Sequence, residues 1–206
     1  MQLITDPRAI EEQSMRIIED HLPDLAMLPA GERAIVKRVV HTTGDLSCAQ
    51  FIRFHPRAVE SGLSALRAGR PILTDVNMVR SGLIKDRLTA LGVAVDCLIN
   101  HPEVVTRARA RGTTRAMVAM ELGAPQIEGG IIAIGNAPTA LFTLCRLIST
   151  GRAKPALVVG TPVGFVGAAE SKEELISLDI PYITMTGTRG GSTIAAAVIN
   201  ALLLMA

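Results

Sequence analysis

The chain has 206 residues, a formal net charge of +2 and 49% apolar residues, with no Trp and one Tyr. That length holds one substantial core in a single domain, and the scarcity of aromatics makes that core aliphatic. So small a charge, with no Lys/Arg block interleaved with aromatics, excludes a nucleic-acid-binding surface.

Met1 to Ser14 carries charges and lacks the apolar stretch of a signal peptide. The longest apolar run, Ile194 to Ala206, contains Asn200 and is too short to span a bilayer, so it suits a packed helix. A cytoplasmic protein without membrane contact is expected. Cys48, Cys97 and Cys145 are odd in number and widely spaced, as small core hydrophobes in a reducing compartment would be. The basic residues are 17 Arg and 4 Lys. Arginine forks bind carboxylates bidentately, which suits an acidic ligand, although a compositional bias toward Arg would give the same count.

In chain order, residues 1–70 read as helical and lack any strand-turn pattern. Asp6-Pro7 supplies an N-cap followed by Pro at the first helical position. A second helix spans Gly31 to His41, with apolar residues at i, i+4, and Thr42-Thr43-Gly44-Asp45 stops it. A third spans Pro56 to Ala68 and closes at Gly69. From residue 71, short apolar runs alternate with helical patterns. Strands are expected near 72–75, 94–98, 131–134, 156–159 and 182–186. Helices are expected near 77–91, 113–123, 138–150, 171–178 and 191–204. Ser171 with Glu174 reads as a capping box at the fourth of these helix starts.

Strand alternating with helix predicts a three-layer α/β/α arrangement around a five-stranded parallel flavodoxin-like sheet of order 2-1-3-4-5. The N-terminal helical region, 1–70, packs on the 71–206 core, and the whole chain, 1–206, is one domain. In such sheets ligands sit beyond the carboxyl ends of the strands, where the order reverses. The loops meeting there are Thr74-Asp75-Val76-Asn77-Met78 and Gly135-Asn136-Ala137-Pro138.

Among the four histidines, His55 and His101 precede Pro and read as structural, while His21 reads as solvated. His41 ends an apolar-periodic helix just before a polar break. A helix C-terminus favours the imidazolium by up to ~2 kcal/mol, and burial opposes it, so a donor that recovers its proton near neutral pH is conceivable there. A purely structural histidine remains the alternative. Thr186-Gly187-Thr188-Arg189-Gly190-Gly191-Ser192-Thr193 opens the last helix and reads either as an anion site or as a tight turn. Of Arg107, Arg109, Arg111 and Arg115, the last is expected to turn inward. No Walker A, GxGxxG, HExxH or Ser-His-Asp pattern is present, so covalent and metal catalysis are disfavoured and no cofactor is expected.

Taken together, four motifs resemble the precorrin-8X methylmutase (cobalt-precorrin-8 methylmutase) family. They are Ile10-Glu11-Glu12-Gln13-Ser14-Met15-Arg16-Ile17-Ile18, Val39-Val40-His41, Gly135 to Phe142, and Pro162 to Lys172, followed by the Gly190-Gly191-Ser192 turn. The resemblance covers essentially the whole chain. It implies a cobalamin-pathway isomerase acting on a corrin bearing several carboxylates, with migration of a methyl group from C-11 to C-12 by a proton-assisted 1,5-sigmatropic shift. It assigns proton handling to His41. Substrate contacts fall to Ser14, Arg16, Thr42, Thr74, Asp75, Arg115, Asn136, Thr139, Gly190, Gly191 and Ser192. It also implies a homodimer with the pocket near the subunit interface. One departure is Thr188, where members often place a basic residue; Arg189 comes one position later. A non-catalytic corrinoid carrier and a flavodoxin-like nucleotide or flavin binder remain the alternatives.

Overall fold

The computed structural model describes residues 4–206 and centres on a six-stranded sheet. Its strands are Ile52–Phe54 (β1), Ile72–Thr74 (β2), Val95–Asp96 (β3), Ile131–Ile134 (β4), Leu157–Gly160 (β5) and Tyr182–Met185 (β6). Strands β2 to β6 pair in parallel, in the spatial order β3-β2-β4-β5-β6. Every residue of β4 and β5 is buried. Strands covered on both faces have no solvent side to mark with polar residues, which is why they read as unbroken apolar runs. Successive side chains point to opposite faces. Ile131 and Ala133 join one apolar cluster, Ile132 and Ile134 the other.

The sixth strand corrects two expectations, a five-stranded sheet and a wholly helical N-terminal region. β1 pairs antiparallel with β6, setting Arg53 opposite Thr184. Three residues, one of them an exposed Arg, are too few to show an alternating pattern. Arg53 donates to the carbonyls of Gln50 and Ile52, so a charged side chain covers this edge and discourages further pairing.

Helices lie on both faces. Those of the N-terminal region are Pro7–His21 (α1), Ala30–Thr43 (α2) and Ala58–Arg67 (α3). Asp6 caps α1 through a 2.8 Å bond from the Ala9 N–H, with Pro7 at its first position. Asn77–Ser81 (α4) and Lys85–Ala90 (α5) replace the single helix expected over 77–91. The break is satisfied from a distance: Asn200 accepts from the Ile84 N–H at 3.0 Å and donates to the Gly82 carbonyl at 2.8 Å. Two backbone groups freed by ending a helix thus find one amide side chain, a partnership invisible to local pattern.

Next come Pro102–Arg111 (α6), which the strand-helix alternation did not anticipate, and Arg115–Gly123 (α7). His101 caps α6, its Nδ1 accepting from the Glu103 N–H. Pro138–Ser149 (α8), Ala168–Ile176 (α9) and Ser192–Met205 (α10) complete the chain. The capping box at Ser171 is not formed. α9 starts earlier, after Gly167 at φ 75°, and Ser171 is buried in its first turn, donating to the Ala168 carbonyl.

One apolar cluster gathers α2, α3, α10 and one sheet face; the other gathers α7, α8, α9 and the opposite face. α10 is buried along most of its length, and each fully buried Ile, Leu or Val contributes roughly 1.5–3 kcal/mol. No helix is long and apolar enough to cross a membrane among the described residues. Cys48 and Cys145 are buried free thiols, and Cys97 is half-buried.

Candidate active site

The helix α2 ends on Gly44, whose left-handed backbone lets its N–H close on the Val40 carbonyl. This stop leaves His41 and Thr42 exposed in the last turn. Thr42 donates back to the Arg38 carbonyl at 2.8 Å. A groove of about 350 Å³ runs between α1 and this end, lined by Ser14, Ile17, His21, Val40 and His41 among others. Ser14 donates to the Ile10 carbonyl at 2.8 Å. Arg16 stands exposed, 3.6 Å from Glu12. His21, read from sequence as solvated, is exposed and shares the groove with His41; its Nδ1 lies 2.8 Å from the Ile17 carbonyl.

A second set forms at the carboxyl ends of the strands. Asp75 has no exposed surface, and its carboxylate accepts from the N–H groups of Gly135 (3.0 Å), Asn136 (2.9 Å) and Ala137 (2.9 Å). Burial pushes its carboxyl above the usual range, and the three N–H groups pull it back. Thr74 is also fully buried and donates to the Asp96 carbonyl. Neither side chain presents surface in this chain. Asn136 is exposed between them and solvent.

The last turn packs onto this set. A Cβ at Gly135 would lie 2.6 Å from the Ser192 Cα, and one at Gly190 would lie 2.3 Å from the Thr161 carbonyl oxygen. Only glycine permits both approaches. Gly191 donates to the Thr161 carbonyl at 2.8 Å, and Ser192 is buried at the start of α10. Arg115 and Thr139 adjoin on the other side. The Thr139 hydroxyl lies 3.2 Å from that of Thr114, which caps α7. Arg115 does not turn inward: it is exposed and donates to Asn100 at 3.1 Å. Arg107 and Arg111 pair with Glu103 and Glu121 on the surface.

Arg189 joins the two sets. It pairs with Asp45 at 2.7 Å, just past the end of α2, and its guanidinium lies 4.7 Å from the Phe51 ring centroid. The Ser47 hydroxyl, then Arg189 and the Ser47 N–H, hold the Asp45 carboxyl down at about 2. Beneath the same turn, Lys172 of α9 is fully buried, and its Nζ donates to the Arg189 carbonyl at 2.6 Å. Desolvation lowers its ammonium to about 8. The Thr161 hydroxyl is buried without a hydrogen-bond partner among the described residues.

Asp45, Lys172 and Thr161 escaped the sequence reading. Asp45 followed a helix-stopping glycine, the commonest place for a solvated Asp. Lys172 sat inside a helical pattern that marks lysine as exposed. Among the described residues no cluster of three His, Cys, Asp or Glu side chains gathers as a metal site. A groove of about 780 Å³ between the start of α2 and α3 contains none of the candidate residues.

This arrangement can hold an anionic ligand and exchange a proton at His41, with no activated nucleophile beside it. The sequence model of the precorrin-8X methylmutase family matches residues 9–205. The chain is 42% identical to a cobalt-precorrin-8 methylmutase of Priestia megaterium, covering 99% of this chain and 90% of that one. It is 44% identical to a precorrin-8X methylmutase of Pseudomonas aeruginosa, with coverage of 97% and 96%. The crystal structure of a precorrin-8X methylmutase from Thermus thermophilus superposes with a TM-score of 0.88 at 42% identity, covering 96% of this chain and 95% of that one. With one continuous match across both halves of the site, the chain belongs to the precorrin-8X methylmutase family.

Proposed function

We propose that the protein is the isomerase of corrin biosynthesis that moves a methyl group from C-11 to C-12 of precorrin-8X or cobalt-precorrin-8. The product is hydrogenobyrinate or its cobalt form, cobyrinate. The observation that carries this reading is the exposed His41, set in a groove with Ser14 at the end of α2, in a chain of this family.

The chemistry follows from what such a shift needs. A concerted 1,5-sigmatropic migration forms the C-12 bond as the C-11 bond breaks, so no nucleophile or resident cofactor is required. An isomerisation neither gains nor loses atoms. The proton that His41 delivers as the methyl moves is therefore returned when the conjugated product forms. Arg16 and Arg115 are exposed and suited to peripheral carboxylates, while Ser14, Thr42, Asn136 and Thr139 offer hydrogen bonds. The Gly190-Gly191-Ser192 turn adds N–H groups at a helix start, where anions are favoured. The parallel strand order supports reading the sheet as flavodoxin-like, reversing between β2 and β4, where Asp75 meets the loop of Asn136.

The working form is a cytoplasmic homodimer with the pocket near the subunit interface. The groove at His41 is at the small end of the usual range for ligand sites, ~300–1,000 Å³, and small for a corrin. Ile10 (44% exposed) and Ile17 (48%) on α1, and Phe165 (93%) and Val166 (89%) after β5, support further cover. Solution scattering should give twice the 21.8 kDa chain mass, and a fully active monomer would defeat the shared pocket.

Incubation with precorrin-8X and with cobalt-precorrin-8, followed by visible spectroscopy, tests the reaction. The methyl shift alters ring conjugation, so turnover changes the spectrum in time. An immediate binding shift with no later change on either substrate would instead identify a carrier.

A further inference from the structure

We infer that Asp75 is a positioning residue: an anion built into the fold that holds the Gly135-Asn136-Ala137 turn so that Asn136 meets the substrate. The inference rests on the methylmutase reading for the identity of the ligand, but its geometry stands without it. The turn leads directly into α8, whose N-cap is Ala137, a residue with no side-chain acceptor. Gly135 and Asn136 precede that N-cap, and N–H groups in such a loop have no strand or helix partner and must find water, a side chain or an anion. Here three consecutive N–H groups converge on one carboxylate from a neighbouring strand.

The anchor is itself firmly placed. Asp75 continues the ladder of β2 by donating its own N–H to the Ala133 carbonyl at 3.2 Å. Thr74, just before it, bonds sideways to β3. Its side chain thus reaches over the exit of β4 from a position fixed on both flanks. A neutral cap offers fewer strong acceptors than a carboxylate, whose two oxygens take all three donors. On the far side the turn abuts the start of α10, with no room for a Cβ at Gly135. Wedged between Asp75 and Ser192, the turn has one outward-facing side chain, that of Asn136.

Two consequences follow. A substrate carboxylate cannot use these three N–H groups, because the chain fills them with its own carboxylate. Substrate affinity nevertheless depends on Asp75, through Asn136. This role differs from a generic core contact, because its effect travels through a single exposed residue and disappears when that residue is removed.

The test is a double-mutant cycle of Asp75→Asn and Asn136→Ala, read as kcat and KM with precorrin-8X and as Kd for hydrogenobyrinate by visible titration. The amide keeps the shape of Asp75 but turns an NH₂ group toward the backbone donors. Each single variant should raise KM and Kd about tenfold with kcat within about threefold. The double variant should be no worse than Asp75→Asn within about twofold, because both act through one contact. Effects that multiply, or a wild-type KM in Asn136→Ala, would overturn the inference. Should Asp75→Asn fail to fold, Asp75→Glu, which keeps the carboxylate but displaces its oxygens, takes its place in the cycle. An unsubstituted protein that binds hydrogenobyrinate without converting precorrin-8X would remove the methylmutase reading and leave the Kd cycle intact.

Discussion

At the carboxyl end of the sheet, Asp75 and Lys172 are ionisable side chains with no exposed surface, whereas at the end of α2 His41 and Thr42 stand open to solvent. The first region directs its charges at backbone: one carboxylate on three N–H groups, one ammonium on a carbonyl. Moving such charges out of water costs several kcal/mol unless hydrogen bonds offset it, so this end is rigid and geometrically exact in its demands. The second region has few constraints and two exposed imidazole rings, His21 and His41. In the proposed mechanism placement is thus separated from proton transfer, and the Arg189–Asp45 pair links the two regions. The exposed end becomes water-excluding only when something covers it, which is the physical argument for a large ligand held between two copies.

The largest expected effect tests the open end. His41→Ala should lower turnover by about 10²- to 10⁴-fold, the range for general acid–base catalysis. Because the side chain is exposed, stability should move by no more than about 0.5 kcal/mol. Paired spectral assays and urea denaturation check both halves, and wild-type turnover would remove His41 from the chemistry.

Glycine substitutions compare the two regions directly. A Cβ at Gly190 would meet the Thr161 and Pro162 carbonyl oxygens at 2.3 and 2.6 Å, and backbone does not move aside cheaply. Gly190→Ala should destabilise by about 3 kcal/mol. At Gly44 a Cβ meets nothing within 4 Å, so only its left-handed φ opposes substitution, by about 1–2 kcal/mol. Equal losses at both sites would erase the contrast between a tight end and an open one.

Lys172 gives the buried end a pH signature. Its folded ammonium titrates at about 8, below the ordinary 10.5. Between those values the unfolded chain binds the proton and the folded chain does not, so stability rises with pH across that window. The gain is at most about 3.4 kcal/mol at 1.36 kcal/mol per unit. Lys172→Met should lack this rise in denaturation curves from pH 7 to 10.5; a variant that parallels the wild type would place the ammonium in water.

The exposed arginines test the open end a second time, through binding rather than turnover. Arg16→Ala and Arg115→Ala should each weaken hydrogenobyrinate binding by about 1.5–3 kcal/mol, less as salt screens them. Titrations at low and high salt measure this. Unchanged affinity in both would assign these side chains to the solvated surface.

Much of this protein is legible in its sequence, for reasons rooted in local chemistry. Buried parallel strands must be apolar on both sides, so 131–134 and 156–159 declare themselves, the second lying one residue further on in the sheet. Asp6-Pro7 marks the start of α1, Gly44 the end of α2, and a histidine before that stop marks the open end of the site. The tertiary structure alone decided the rest. β1 is too short for periodicity and exists because β6 offers an edge. The break between α4 and α5 depends on Asn200, more than a hundred residues away. Asp75 and Lys172 look like ordinary charged residues until folding removes them from water. A buried charge is defined by its distant partners, and partners brought together by a parallel sheet are separated in the chain by whole helices.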